Sequence, residues 1–281
     1  MRRPLATLCL LSLFCELSAF GSSSPQISMG SPFLLQKRSS PEENDQKSAA
    51  IQNSRLQIGG NYTGVTIHPH GHTSFGGNLG GAQGIYEYLP INSFYGAFTL
   101  DWRQGDTHGH AGKRSLLYID TQERLGYTFS FDRDKLALTL YSGLGYRHFG
   151  QKLDPKKGSS LKFRYNELYI PVGSIVNYAV NHWFAIGLGL TWMPQVYPTV
   201  KITSLKGARW IITSELANFN VKMPITFTLT QDKRFSLILS PFYEYWRDGH
   251  STAKTSDGLK LGLPGNTYNF GGVDINFAYS F

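Results

Sequence analysis

From Arg55 to Phe281 the chain alternates apolar and polar side chains with a period of two, in runs broken by turn residues. Side chains two apart share one face of a strand, so this pattern builds strands with one apolar face. The last run is the clearest. Val273, Ile275, Phe277, Tyr279 and Phe281 are apolar or aromatic, while Asp274, Asn276, Ala278 and Ser280 are small or polar. Upstream, Phe235, Leu237 and Leu239 oppose Ser236 and Ser240. Val221, Met223, Ile225 and Phe227 oppose Lys222, Thr226 and Thr228. Phe184, Ile186, Leu188, Leu190 and Trp192 alternate with Ala185, Gly187, Gly189 and Thr191. Leu168, Ile170, Val172 and Val176, then Leu136, Leu138, Leu140 and Leu144, then Leu125, Tyr127, Phe129 and Phe131, then Phe94, Phe98, Leu100 and Trp102 continue the series. Leu56, Ile58 and Tyr62 mark a first strand, and a Gly-rich stretch ending in Tyr86 and Tyr88 marks a second.

The connections are of two kinds. Short turns are expected at 89–92, 132–135, 180–182 and 231–234, and longer polar loops at about 68–79, 104–116, 150–160, 200–208 and 248–267. They alternate strictly, as short periplasmic turns and long outer loops do in transmembrane barrels. A β-sandwich would need a second set of core positions, whereas here one apolar face runs through every strand. The expected fold is therefore an all-β, antiparallel up-and-down transmembrane β-barrel over 55–281. Ten strands bring both ends to one side; eight is the fallback if the Gly-rich second strand fails. Aromatic residues at 14%, 30 glycines and only 16% charged residues suit strands and turns. The mean hydropathy of −0.23 fits too, because every second residue faces a polar interior. No run beyond the N-terminus approaches the ~18 apolar residues of a membrane-spanning helix.

Residues 1–21 read as a secretory signal peptide: basic Met1-Arg2-Arg3, apolar Leu5 to Leu13, and small residues at Ala19 and Gly21. Residues 22–54 are rich in Ser, Gln, Pro and mixed charge and read as a disordered tail. Cys9 and Cys15 both lie in the signal, so the exported chain carries no thiol, which excludes disulfide and Cys–metal chemistry. The net charge of +8 becomes +7 once Arg2, Arg3 and Glu16 are removed. Export argues against nucleic acid as the acidic partner. Lipopolysaccharide and other outer-membrane lipid, or acidic host glycans and surface ligands, fit a basic exterior. The expected location is the outer membrane.

The C-terminus, NTYNFGGVDINFAYSF, resembles the assembly signal of bacterial outer-membrane barrels, which end in an aromatic residue preceded by alternating aromatics. Phe277, Tyr279 and Phe281 carry that resemblance, which implies recognition by the barrel assembly machinery. Ten strands and the closing YNF segment also resemble the omptins, outer-membrane proteases that use an Asp pair and an Asp–His pair at the outer rim. The loop at 200–208 reads VKITSLKGA and contains neither Asp nor His. Asp106-Thr107-His108 has the spacing but belongs to another loop, so the protease activity does not carry over.

Inward register assigns Arg55, Glu87, Asp101, Arg103, Arg124, Arg147, Glu167, Lys222, Glu244 and Asp274 to the interior. A narrow barrel is filled by its own side chains, and buried charges need partners. The expected arrangement is a paired charge network that fills the interior of a non-enzymatic barrel. A charge-lined, porin-like channel for small solutes is the alternative, and a rim hydrolase acting on peptide or lipid a third reading. The register also turns Glu123 toward lipid, which would mark either a bulge or a misplaced strand. No cofactor is implied by motif, but His68, His70 and His72, with His108 and His110 on a neighbouring loop, could converge on a divalent metal. The surface-exposed outer loops are basic, with Lys113, Arg114, Lys152, Lys162, Arg164 and Lys201 among them, against Asp106, Asp154, Asp248 and Asp257.

Overall fold

The computed structural model describes residues 54–132, 135–156, 158–203, 209–251 and 262–281. The signal and nearly all of the tail expected from the sequence lie outside the described residues.

Ten strands form one closed antiparallel sheet. They are β1 (Ser54–Pro69), β2 (Phe75–Tyr88), β3 (Ser93–Gly109), β4 (Gly112–Phe131) and β5 (Leu136–Pro155), then three interrupted strands. β6 consists of Leu161–Tyr169 and Val172–Ala179, β7 of Phe184–Trp192 and Thr199–Ile202, and β8 of Arg209–Ile211, Phe219–Lys222 and Ile225–Thr228. β9 (Phe235–Asp248) and β10 (Asn266–Ser280) complete the order. Each strand pairs with its sequence neighbours, and β10 pairs with β1 from Arg55↔Ser280 to Pro69↔Asn266. Closure removes the unpaired edges that lipid would not tolerate. Three of the four interruptions fall at prolines, which cannot donate to a ladder: Pro171 splits β6, Pro194 and Pro198 lie in the gap in β7, and Pro224 separates the last two pieces of β8, whereas the gap at 212–218 holds no proline.

The Gly-rich segment is a full strand, which settles the count at ten rather than eight. Its inward glycines are needed for close approach. A Cβ at Gly77 would strike the backbone oxygen of Asp106, and one at Gly81 that of Trp102. The short turns lie on one side. Asn92 and Asp132 take left-handed backbone there, with φ of 48° and 49°, which short polar side chains tolerate.

The outer loops are shorter than the sequence reading expects. β1 and β2 leave only 70–74, and β3 and β4 only 110–111, between them. A 20-residue strand such as β4 or β5 rises about 50 Å at a tilt near 40°, roughly twice the ~25 Å apolar band of such barrels. The ladder therefore continues well above the band. Its outward residues there are mostly polar, Gln104, Lys113, Ser115, Lys152 and Arg164 among them, so the alternation that marks the lower strands weakens while the strand continues.

Within the band the outer wall is apolar: Phe94 is 75% exposed, Leu125 70% and Phe277 64%. Opposite them the interior is polar, with Gln57, Asn61, Thr128, Thr139, Ser240, Asp274 and Asn276 buried. Higher up the two sides exchange character. The interior becomes a buried cluster that includes Ile67, Phe75, Leu79, Phe149, Tyr165, Val200, Trp246, Tyr268 and Phe270. One molecule thus combines a membrane barrel below with the core of a water-soluble barrel above.

Candidate functional site: the charged interior and its aromatic stopper

All ten interior residues expected from the register point inward. They fall into two tiers, set by their height along the strands. In the lower tier Glu87 collects Arg55 Nε at 2.6 Å, Gln57 Nε2 at 2.8 Å and Tyr95 OH at 3.3 Å, with Arg124 4.0 Å away. Arg124 also donates to Thr99 Oγ1 at 3.2 Å. Lys222 Nζ reaches Asp274 Oδ2 at 2.6 Å. Asp101 accepts from Arg103 and, at 2.9 Å, from Asn61 Nδ2. The Arg103 guanidinium lies against both Tyr118 and Phe242, 5.0 and 4.7 Å from the ring centres.

The upper tier is centred on Arg147, which is 2% exposed. Its Nε donates to Asp120 Oδ2 at 3.2 Å, and its Nη2 to Glu244 Oε1 at 2.5 Å and Tyr118 OH at 2.8 Å. The Trp246 ring covers it at 3.6 Å. Tyr169 OH adds one donor, within reach of both oxygens of Asp120, at 2.8 and 2.9 Å. Glu167 stands directly across the ladder from Arg147 and faces the carboxyl of Asp248, which also accepts from Trp246 Nε1 at 3.0 Å.

Between the tiers lies a cavity of about 140 Å³, lined among others by Arg55, Glu87, Asp101, Arg124, Lys222 and Asp274. Tyr118, Met193 and Phe242 line its upper part, and the aromatic cluster stands above them.

Among the described residues, three inward charged side chains lie outside the ten that the register assigns. Asp120 escapes notice because the outward apolar series of β4 stops at Leu125. Arg114 and Asp248 are assigned by the sequence to the outer loops, yet both are inside. Arg114 Nη1 donates to Gln151 Oε1 at 3.0 Å and its guanidinium covers Phe75, while Asp248 is 1% exposed. The available signal was in register: each is an even number of residues from an interior position, Arg124 or Glu244. Glu123 is outward, between Phe98 and Leu144, in an unbroken ladder, so it marks no bulge.

The histidines do not gather as the sequence suggests. His68 Nδ1 contacts Ser74 Oγ at 2.7 Å, and His148 Nδ1 contacts Asn166 Oδ1 at 2.8 Å. His70 meets His250 edge-on, with ring centres 6.1 Å apart, rather than His108 or His110. Among the described residues no group of three or more His, Cys, Asp or Glu side chains is placed to hold a metal ion. Asp106 pairs with Lys113 at 2.9 Å on the outer wall, and no second Asp–His pair adjoins it among the described residues. Phe277, Tyr279 and Phe281 all face outward at the end of β10. Phe281 stacks on Tyr86 at 6.3 Å, and its backbone N–H donates to Ser54.

No family model matches the chain, and no curated protein matches it in sequence. Its structure is similar to that of the outer membrane protease OmpT from Escherichia coli, at 10% identity and a TM-score of 0.52, over 81% of this chain and 96% of that one. It is similar also to the Ralstonia pickettii toluene transporter TbuX, at 9% identity and a TM-score of 0.45 over 85% and 92% of the two chains. A third likeness is to the translocator domain of the Neisseria meningitidis autotransporter NalP, at 12% identity and a TM-score of 0.44, over 82% and 88%. The fold is that of the outer-membrane β-barrels.

Proposed function

We propose that this chain is an integral outer-membrane barrel that is closed to diffusion and non-enzymatic, and that it serves the envelope through the surface it presents rather than through its interior. The observation that carries this reading is the stopper. Ile67, Phe75, Phe149, Trp246, Tyr268 and Phe270 fill the outer half of the interior and are each no more than 3% exposed. Their rings interlock edge to face: Phe149 and Tyr268 are 5.1 Å apart, and Tyr118 and Phe270 5.8 Å. Interiors packed in this way leave few voids larger than water, so among the described residues no hydrated path for a solute crosses that layer. Below it, Arg55, Arg103, Arg147 and Lys222 each hold a carboxylate within ion-pair distance.

The polar cavity under the stopper favours a second reading, a gated channel whose outer half moves aside. Single-channel recording in planar bilayers separates the two. A closed barrel gives no steady conductance in symmetric 1 M KCl, a condition in which porin-like barrels conduct. Reproducible steps under the same conditions would replace the first reading with the second. Incubation with peptide and lipopolysaccharide substrates without turnover is expected, and release of a defined product would restore the hydrolase reading.

A further inference from the structure

Charge on the outer wall is uneven. Above the apolar belt, β5, β6 and β7 turn Lys152, Lys162, Arg164 and Lys201 outward. The ladder sets Lys152 directly opposite Lys162, and Arg164 directly opposite Lys201. Like charges facing each other across a ladder repel and cost stability. Lys152 has Asp154 at 2.9 Å. Among the described residues no carboxylate pairs with Lys162, Arg164 or Lys201. The corresponding outward positions of β1, β2 and β10 are uncharged, for example Thr66, Asn78 and Asn269.

The same face continues downward into the belt. Tyr146 and Leu168 are its uppermost apolar residues, and above them Tyr146 OH and His148 Nδ1 both reach Asn166 Oδ1, at 2.9 and 2.8 Å. With a rise of ~3.3 Å per residue and a tilt near 40°, Arg164 and Lys201 stand about 10 Å above Leu168, and Lys152 and Lys162 about 15 Å. Long basic side chains bend several ångströms toward an interface. That places a cationic group at headgroup height, over an apolar wall, with a polar shelf between.

We propose that this sector of β5–β7 holds an anionic glycolipid of the outer leaflet, its phosphates against Lys162, Arg164 and Lys201 and its acyl chains along the belt beneath. Phosphate–guanidinium contacts would relieve the repulsion left between the facing cations. A lipid fits better than a soluble partner because the cations lie on the side wall, continuous with the membrane belt. The proposal is independent of whether the interior conducts.

The test uses the full-length protein in nanodiscs of phosphatidylethanolamine, titrated with bisphosphorylated lipid A and read by native mass spectrometry. The wild type should retain lipid A, and K162Q/R164Q/K201Q should retain it about tenfold less well. The control K113Q, whose partner is Asp106 on β3, should stay within about twofold of wild type. Dephosphorylated lipid A should lose its preference on wild-type protein, an arm that holds even if the triple variant does not fold. Inorganic phosphate at matched concentration should not displace the lipid. Equal retention by the triple variant, equal retention of dephosphorylated lipid A, or displacement by free phosphate would each overturn the proposal.

Discussion

At the scale of single residues, Arg147 decides most. It lies between Asp120, Glu244 and Tyr118, under Trp246, where water does not reach. Removing one member of such a group leaves the others charged and unpaired, at a cost of about 3–5 kcal/mol, whereas replacing the whole group with neutral side chains of similar size costs far less. R147M should therefore lower the stability of the refolded barrel by that amount in urea titrations. R147M/D120N/E244Q should recover more than half of the loss. Equal losses in both would mean that the ion pairs contribute no mutual dependence. The sequence disclosed Arg147 and Glu244 because each keeps the inward register of a strong outward series, Leu136 to Leu144 for Arg147 and Phe235 to Tyr245 for Glu244. It did not disclose Asp120, Arg114 or Asp248, because inward register above the belt has no apolar partner series to betray it.

At the scale of elements, β2 shows how glycine can either serve or merely occupy a strand. Gly81 faces inward against the Trp102 backbone, while a Cβ at Gly80 on the outer face would meet nothing within 4 Å. G81V should reduce the heat-modifiable folded fraction on semi-native gels, since the strand cannot coil as closely. G80V should fold as well as wild type or gain up to about 1 kcal/mol from the higher strand preference of valine. If the two behaved alike, close approach would not be what keeps glycine in this strand. The short turns were legible from Asn, Asp and Pro between strong runs. The strand ends were not, because His68-Pro69 and Asp106-Thr107-His108 read as loop by composition and yet extend the ladder. Backbone pairing does not require an apolar face, only a neighbour, and the rising sheet supplies one.

At the scale of the molecule, the apolar surface changes sides partway up the barrel. Below, aromatics and leucines face lipid around a charged interior; above, they face each other inside a polar wall. The change follows from the solvent: hydrocarbon outside favours apolar side chains outward, and water outside favours them inward. The closed ten-stranded fold was readable from the alternation and the turn pattern. The stopper was not, since Tyr268 and Phe270 share the inward register of Asp274 and Asn276 but precede Val273, where the outward apolar series of β10 begins. Tryptophan fluorescence should report the same division. Trp102 and Trp192 should be quenched by brominated lipid, and Trp246 by neither brominated lipid nor aqueous acrylamide. Ready acrylamide quenching of a W102F/W183F/W192F/W210F variant, which keeps only Trp246, would contradict a sealed outer half.

The exchange of sides can be measured directly along β10. Single nitroxide labels at 267, 269, 275 and 277, in a background with Cys9 and Cys15 replaced, would be compared for collision with oxygen and with a water-soluble nickel chelate. Oxygen should dominate at 275 and 277 and the chelate at 267 and 269, while labels at 268 and 270 should be shielded from both. Oxygen dominance persisting through 267, or free chelate access at 268 and 270, would mean that the outer half is not a sealed, water-surrounded stopper.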